Sequence, residues 1–248
     1  MAGPLEGIRV VDLTQVVSGP LATMLLADQG AEVVKVEPLG IGGDVTRLPS
    51  YAKAGISALF VNNNRGKRSL ALDLTKEEGK QIVIDLVEQA DVFIQNFRPG
   101  AIERLGLSYE ELKAVNPKLI YCSISGFGPD GPYSDRPVLD PVIQGLTGMV
   151  SRQLNPQIPF PDLVRNLVAD KSTAFTSAQA ITAALFSRER TGEGQFLEIP
   201  MLDSCLYFFW VDGMMDLTML DEDVSPGITL AKVYNITNTS DGQLIYFA

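Results

Sequence analysis

The chain of 248 residues has no histidine. That absence removes Ser-His-Asp and Cys-His nucleophilic systems and every proton relay built on imidazole. It also takes the commonest ligand from zinc sites, and no metal site is expected. Cysteine is nearly missing as well. Cys122 and Cys205 are far apart and lack C-x-x-C spacing, so neither a metal knuckle nor a disulfide framework is indicated. Both lie in apolar runs and read as buried thiols of a reducing compartment. No G-x-x-x-x-G-K-[ST] stretch occurs, which leaves ATP or GTP chemistry without support. Long hydrophobic runs are absent too. The longest candidate, 202–219, is broken by Asp203, Asp212 and Asp216, and none approaches the roughly 20 residues that span a bilayer. The first residues lack a charged-then-apolar signal pattern. Basic charge is scarce: 20 Lys and Arg against 30 Asp and Glu give a net charge of −10, which argues against nucleic-acid and anionic-membrane partners. The chain reads as a soluble, cytoplasmic protein whose chemistry falls to carboxylates, Lys, Arg, Tyr, hydroxyls and backbone amides.

What is present is an alternation of strands and helices. Residues 8–13 read as a short buried strand, 14–20 as a turn, 21–29 as a helix and 31–36 as a second strand, together a βαβ unit. The pattern continues with a strand at 69–74 and a helix at 76–89, for which Thr75 and Glu78 have capping-box spacing. Strands are expected at 91–95, 119–124 and 196–200, and helices at 109–115, 140–149, from Asp170 to about 190, and at 201–219. Residues 126–137 and 154–163 read as irregular loops, and 233–237 with 243–247 as a hairpin around Thr239-Ser-Asp-Gly242. The fold class is α/β: an open, Rossmann-like, mostly parallel sheet flanked by helices, with ligands expected at the carboxyl ends of its strands.

Individual motifs sharpen this. Thr14-Gln-Val-Val-Ser-Gly-Pro20 stands where a dinucleotide fold carries G-x-G-x-x-G, but it keeps a single glycine, so nicotinamide chemistry is not expected. Arg65, Lys67, Arg68, Arg98, Arg104 and Arg136 fall near expected strand ends; taken singly, each is a solvated charge. The turn Asn96-Phe-Arg-Pro-Gly100 is more pointed, because it joins an amide, an aromatic ring and a guanidinium after a strand. Such a set suits an adenine ring and phosphates. Glu32, Glu37 and Asp44 read as surface charges, and Asp140 as a turn or N-cap residue before Pro141. Asp170 precedes a long helical stretch, where orphan N–H groups and the helix dipole favour negative charge; N-cap and nucleophile are both open to it.

Taken together these stretches resemble the class III CoA-transferases, which include formyl-CoA transferase and carnitine CoA-transferase, with α-methylacyl-CoA racemase as a relative. The resemblance rests on Pro4-Leu-Glu-Gly-Ile-Arg-Val-Val-Asp-Leu13, Gly30-Ala-Glu-Val-Val-Lys-Val-Glu37, Asn64-Arg-Gly-Lys-Arg-Ser-Leu-Ala-Leu-Asp-Leu74, Gln95-Asn-Phe-Arg-Pro-Gly100, Glu103-Arg-Leu-Gly106, Ser125-Gly-Phe-Gly128 and Arg190-Thr-Gly-Glu-Gly-Gln195. It implies that Asp170 is the nucleophile. It also implies that CoA touches Val17 and Ser18, the segment from Leu72 to Thr75, Asn96, Phe97, Arg98, Arg104, and the loop from Arg136 to Leu139. Pro38 stands where family members often have a basic residue, and Val17 where formyl-CoA transferase has Gln.

The activity implied is transfer of CoA from an acyl-CoA to a carboxylic acid, with CoA as a substrate and no prosthetic group. An acyl-CoA racemase or epimerase is the alternative, but Leu139 stands where the racemases have their His. A truncated CoA-binding relative without activity is a third. The expected organisation is a large CoA-binding domain at 1–220, then a linker and the first hairpin of a small, truncated domain at 221–248. The resemblance also implies a homodimer, interlocked in the full-length family.

Overall fold

The computed structural model describes residues 3–40, 42–48, 51–153, 160–225, 227–228, 230 and 233–247. The elements run β1 (Arg9–Asp12), α1 (Ser18–Asp28), β2 (Glu32–Pro38), a 3₁₀ turn (Val45–Arg47), β3 (Ala52–Lys53), β4 (Ile56–Ser57), α2 (Ala58–Asn64) and β5 (Arg68–Leu72). There follow α3 (Glu77–Val87), β6 (Val92–Gln95), α4 (Ala101–Arg104), α5 (Tyr109–Val115) and β7 (Ile120–Ser125). The remainder is α6 (Asp140–Leu146), α7 (Met149–Arg152), α8 (Val168–Thr191), β8 (Gln195–Pro200), α9 (Met201–Gly213), a second 3₁₀ turn (Met215–Leu217), β9 (Tyr234–Asn238) and β10 (Gln243–Phe247).

Two compact units emerge: Met1–Pro137 with Asp170–Met201, and Val138–Ala169 with Leu202–Ala248. The first holds a six-stranded sheet in the order β5-β2-β1-β6-β7-β8, every pairing parallel. Counted along the chain, this is the 3-2-1-4-5-6 order of a doubly wound α/β sheet. The chain winds outward from β1 through β2 to β5, then returns to place β6 on the other side of β1. The reversal leaves a crevice between the carboxyl ends of β1 and β6, where such sheets bind ligands.

Strands covered on both faces are mainly apolar, and β6, Val92-Phe-Ile-Gln95, is buried at all four of its positions. Val11, Val36, Phe93 and Tyr121 from neighbouring strands meet Val83 and Val87 of α3, Ile102 of α4 and Leu112 of α5 in one cluster. The Tyr121 hydroxyl reaches the carbonyl of Leu107 at 3.1 Å, so its polar tip is satisfied inside that cluster. Cys122 and Cys205 are both buried and reduced, as read from the sequence. Burial pushes the Cys122 thiol up to about 12, which makes it inert at neutral pH.

Local chemistry sets the helix ends, not always where the residue spacing places them. The capping box expected at Thr75 and Glu78 does not form. The hydroxyl and N–H of Thr75 both turn to Asp73 Oδ1, at 2.6 and 3.0 Å, and α3 begins behind Lys76 without a side-chain cap. A capping box does close on α5, between Ser108 and Glu111. The stretch 140–149 is not one helix: Gly148, at φ +79°, separates α6 from α7. Helix α9 stops at Gly213, short of the expected 219. In the second unit β9 and β10 form the expected antiparallel hairpin, with Tyr234 opposite Phe247 and Asn238 opposite Gln243. Of the loop read at 154–163, residues 154–159 lie outside the described residues. No helix among the described residues is long and apolar enough to cross a membrane.

Candidate active site

The turn that joins β1 to α1 occupies one side of the crevice. Its backbone is held almost entirely by side chains from elsewhere. Asp12, closing β1, accepts the N–H and hydroxyl of Thr14 at 2.8 and 2.5 Å. Lys35 of β2 donates to the Thr14 carbonyl at 2.6 Å. The side chain of Asn96, just past β6, accepts the Gln15 N–H at 2.9 Å and donates to the Gln15 carbonyl at 2.8 Å. The N–H of Val16 points at both carboxylate oxygens of Asp44, each at 3.3 Å. Val16 itself sits at φ +71°. A β-branched residue in the left-handed region is a true outlier, worth about 1–3 kcal/mol of strain that the surroundings must over-determine. Helix α1 then approaches so closely that a Cβ at Gly19 would lie 2.3 Å from the Thr14 side chain. This accounts for the single glycine retained in the turn.

Beneath the turn lies a buried polar network. The Lys67 ammonium spends its three protons on Asp12 Oδ2 at 3.0 Å, the Pro20 carbonyl at 2.8 Å and Asn64 Oδ1 at 2.8 Å. Thr23 donates to Asp12 Oδ2 at 2.6 Å. Lys35 pairs with Asp44 at 3.1 Å, and the two side chains are 1% and 0% exposed. Glu37 receives the fork of Arg47 at 2.7 Å on both oxygens, along with the Asp44 N–H and the Ser69 hydroxyl. Arg47 in turn lies over the Phe60 ring, 3.8 Å from its centroid.

Two expectations are therefore corrected. Glu37 and Asp44 are not surface charges, and Lys67 is not solvated; only Glu32 of the acidic trio is exposed. Burial drives the Asp12 carboxyl upward, but Lys67, Lys35 and the two threonine hydroxyls outweigh it and hold the group below its ordinary range. Glu37 is likewise lowered: burial opposes, and Arg47, the Asp44 N–H and Ser69 prevail. For Lys67 burial wins over the attraction of Asp12, and the ammonium drops to about 8.

The sheet order carries several of the expected CoA contacts to one edge. Leu72 ends β5, Val17 and Ser18 follow β1, and Asn96, Phe97 and Arg98 follow β6, all at carboxyl ends of parallel strands. Asn96 and the turn before Val17 are joined directly through Gln15. Their exposures differ. Arg98, Arg104 and Thr75 are exposed, whereas Val17, Ser18 and Leu72 are buried. The Phe97 ring packs partly against the core cluster, and its N–H donates to Gln95 Oε1 at 2.7 Å. Arg136 lies over the Tyr133 ring at 4.5 Å. Leu139 belongs to the second unit, where it is 67% exposed at the start of α6.

Asp170 is the third residue of α8, in its first turn, so it is not the N-cap; it is 8% exposed. Asp140 is not an N-cap either. It is the first helical residue of α6, buried, and accepts the Gln144 amide at 2.5 Å. Among the described residues no group of three or more acidic or cysteine side chains is placed to hold a metal ion. Residue patterns missed Lys35 and Asp44 as parts of the site. One signal for Lys35 was available: a lysine interrupting the apolar run of a parallel strand breaks the local rule, as functional and strained sites do.

The CoA-transferase family III pattern matches residues 5–248. The chain is 44% identical over 207 residues to a succinate–glutarate CoA-transferase of Agrobacterium fabrum, covering 81% of this chain and 51% of that one. It is 39% identical over 206 residues to an acetyl-CoA:oxalate CoA-transferase of Acetobacter aceti, covering 83% and 53%. Among solved structures, a CaiB/BaiF family protein from Brucella suis superposes with TM-score 0.88 at 38% identity, over 99% of this chain and 66% of that one. The chain thus spans about half the length of the curated relatives it matches. An all-parallel doubly wound sheet and this pattern along nearly the whole sequence agree: the chain belongs to the class III CoA-transferase family.

Proposed function

We propose that this chain carries the CoA crevice and the nucleophile of an acyl-CoA:carboxylate CoA-transferase. Asp170 carries the reading: a largely buried carboxylate in the first turn of the long helix, in a family whose relatives are named for moving CoA between carboxylic acids. The Asp170 carboxylate attacks the thioester carbonyl, forming an acyl–aspartyl anhydride and releasing CoA thiolate. The thiolate then attacks the aspartyl carbonyl, giving an aspartyl–CoA thioester and freeing the donor acid. The acceptor carboxylate attacks that thioester, expelling CoA thiolate and forming an acceptor–aspartyl anhydride; the thiolate then attacks the acceptor's carbonyl, giving the new acyl-CoA and restoring the Asp170 carboxylate. Covalent catalysis divides one exchange into easier steps and needs neither ATP nor imidazole. Shielding of the anhydride from water is required, and the burial of Asp170 supports it.

The acyl-CoA is read into the crevice between the ends of β1 and β6, its adenine and phosphates near Asn96, Arg98 and Arg104. Intact-mass spectrometry after incubation with a panel of acyl-CoAs tests the reading. An adduct with the mass of CoA less water, mapping to the peptide that holds Asp170, is expected; adducts elsewhere, or none with any donor, defeat it.

Calorimetric titration probes the crevice separately. Arg104 is exposed, so Arg104→Ala is expected to weaken CoA by about 1–3 kcal/mol with little change in Tm. Phe97→Ala is expected to lower both affinity and Tm, because the ring also packs on the core. Wild-type affinity in both variants would move the nucleotide elsewhere.

A further inference from the structure

We propose that Asp44 is a positioning residue: with Lys35 and Asn96 it clamps the turn at Thr14, Gln15 and Val16 in a left-handed conformation that sets Val17 and Ser18 at the crevice. This rests on the reading of that crevice as the CoA site. Five backbone groups in three consecutive residues are held by side chains, and three of the four residues that hold them come from other segments. Asp44 reaches the turn across 28 residues of sequence, from the loop after β2. It is fully buried, and its other bonds, from Lys35, Thr46 and the 3₁₀ turn it caps, fix the carboxylate in place.

Strain that served packing would bury the residue that bears it. Val16 is instead 39% exposed, with its N–H turned to Asp44. A buried Lys–Asp pair adds little stability over an apolar pair of the same volume, so its presence here points to conformation rather than to stability. The clamp lies at the switch point of the sheet, where loop geometry decides ligand binding. An unclamped turn would let Val16 relax to negative φ and carry the start of α1 with it.

The test is a rescue. CoA is titrated calorimetrically into wild type, Val16→Gly, Asp44→Ala and the double variant, with Tm measured for each. Glycine takes φ +71° without strain, so Val16→Gly alone is expected to bind CoA within about twofold of wild type, with Tm equal or higher. Asp44→Ala is expected to weaken CoA about tenfold, and adding Val16→Gly to recover most of that loss in affinity. A merely stabilising role would lower Tm without any recovery of affinity by glycine. If Asp44→Ala does not fold, Lys35→Met with Asp44→Leu replaces the pair by apolar groups and removes the same clamp. Wild-type affinity in the clamp variant, or no recovery on adding Val16→Gly, overturns the proposal while the crevice reading stands. A wild-type chain that binds no CoA overturns both.

Discussion

Asp170→Ala is expected to abolish CoA exchange, by on the order of 10⁴-fold or more, while the fold and CoA affinity stay close to wild type. The asymmetry follows from where the residue sits. Removing a covalent nucleophile removes every step that passes through it. The helix dipole adds about 0.3–1 kcal/mol for a carboxylate in the first turn. The loss of that dipole interaction alone shifts Tm by a few degrees at most. Steady-state exchange between a labelled carboxylic acid and its CoA ester, run beside a calorimetric CoA titration, separates the two effects. Substantial residual exchange in Asp170→Ala would sink the aspartyl mechanism. Loss of CoA binding along with exchange would show instead that the substitution damages the crevice. Asp170→Asn sharpens the comparison, since the amide preserves volume and cannot form the anhydride.

The sheet was legible because of how it is buried. A parallel strand covered on both faces reads as a mainly β-branched and apolar run, and the Val-Val, Val-Phe-Ile and Ile-Tyr-Cys cores of β1, β2, β6 and β7 announce themselves this way, although Lys35 interrupts β2. Helix α5 was located to the residue because Asn116 and Pro117 close it. Between β2 and β5 the pattern fell silent. The 3₁₀ turn, the two-residue strands β3 and β4 and the seven-residue α2 are too short to show a period. The misplaced capping box has a local cause. Thr75 has a nearer partner in Asp73, two residues behind it, than in the N–H of Glu78 ahead.

The chemistry divides along similar lines. The turn after β1, the turn after β6 and Asp170 stood out as candidates because they follow strands or open a helix, positions where function concentrates. Their support was not. Lys67 reaches Asp12 across 55 residues and Asp44 reaches Val16 across 28. A charged residue carries no local mark of burial when its partner is that remote. Glu37 and Asp44 were taken for surface charges because acidic residues usually are. What overrides that tendency is a partner for each: Arg47 of the 3₁₀ turn on Glu37, and Lys35 of β2 against Asp44.

That concentration of buried charge makes Lys67→Met the substitution with the largest expected effect on stability. Asp12 is fully buried, and Lys67 is its one direct salt-bridge partner among the described residues. Methionine fills much of the lysine stem but leaves the carboxylate with hydroxyl and amide donors alone. Orphaning a buried charge in this way costs about 3–5 kcal/mol, or roughly 10 °C in Tm for a chain of this size. The pair need not be a net source of stability for this to hold. Burial lowers the ammonium from 10.5 to about 8 against the pull of Asp12, with Lys35 adding to the fall. Between those two values the unfolded chain binds a proton that the folded chain has released, so stability rises with pH across that window. Below about 8 the full cost of burying the charge is present. Denaturant unfolding of wild type from pH 7 to 10 should therefore show an upward contribution that is missing in Lys67→Met. Adding Asp12→Asn to Lys67→Met removes the orphaned charge while keeping a group able to accept from Thr14, and the double variant should regain part of the loss. Simple additivity of the two substitutions would mean that Asp12 and Lys67 do not depend on one another, and the picture of a coupled pair under the turn would fail.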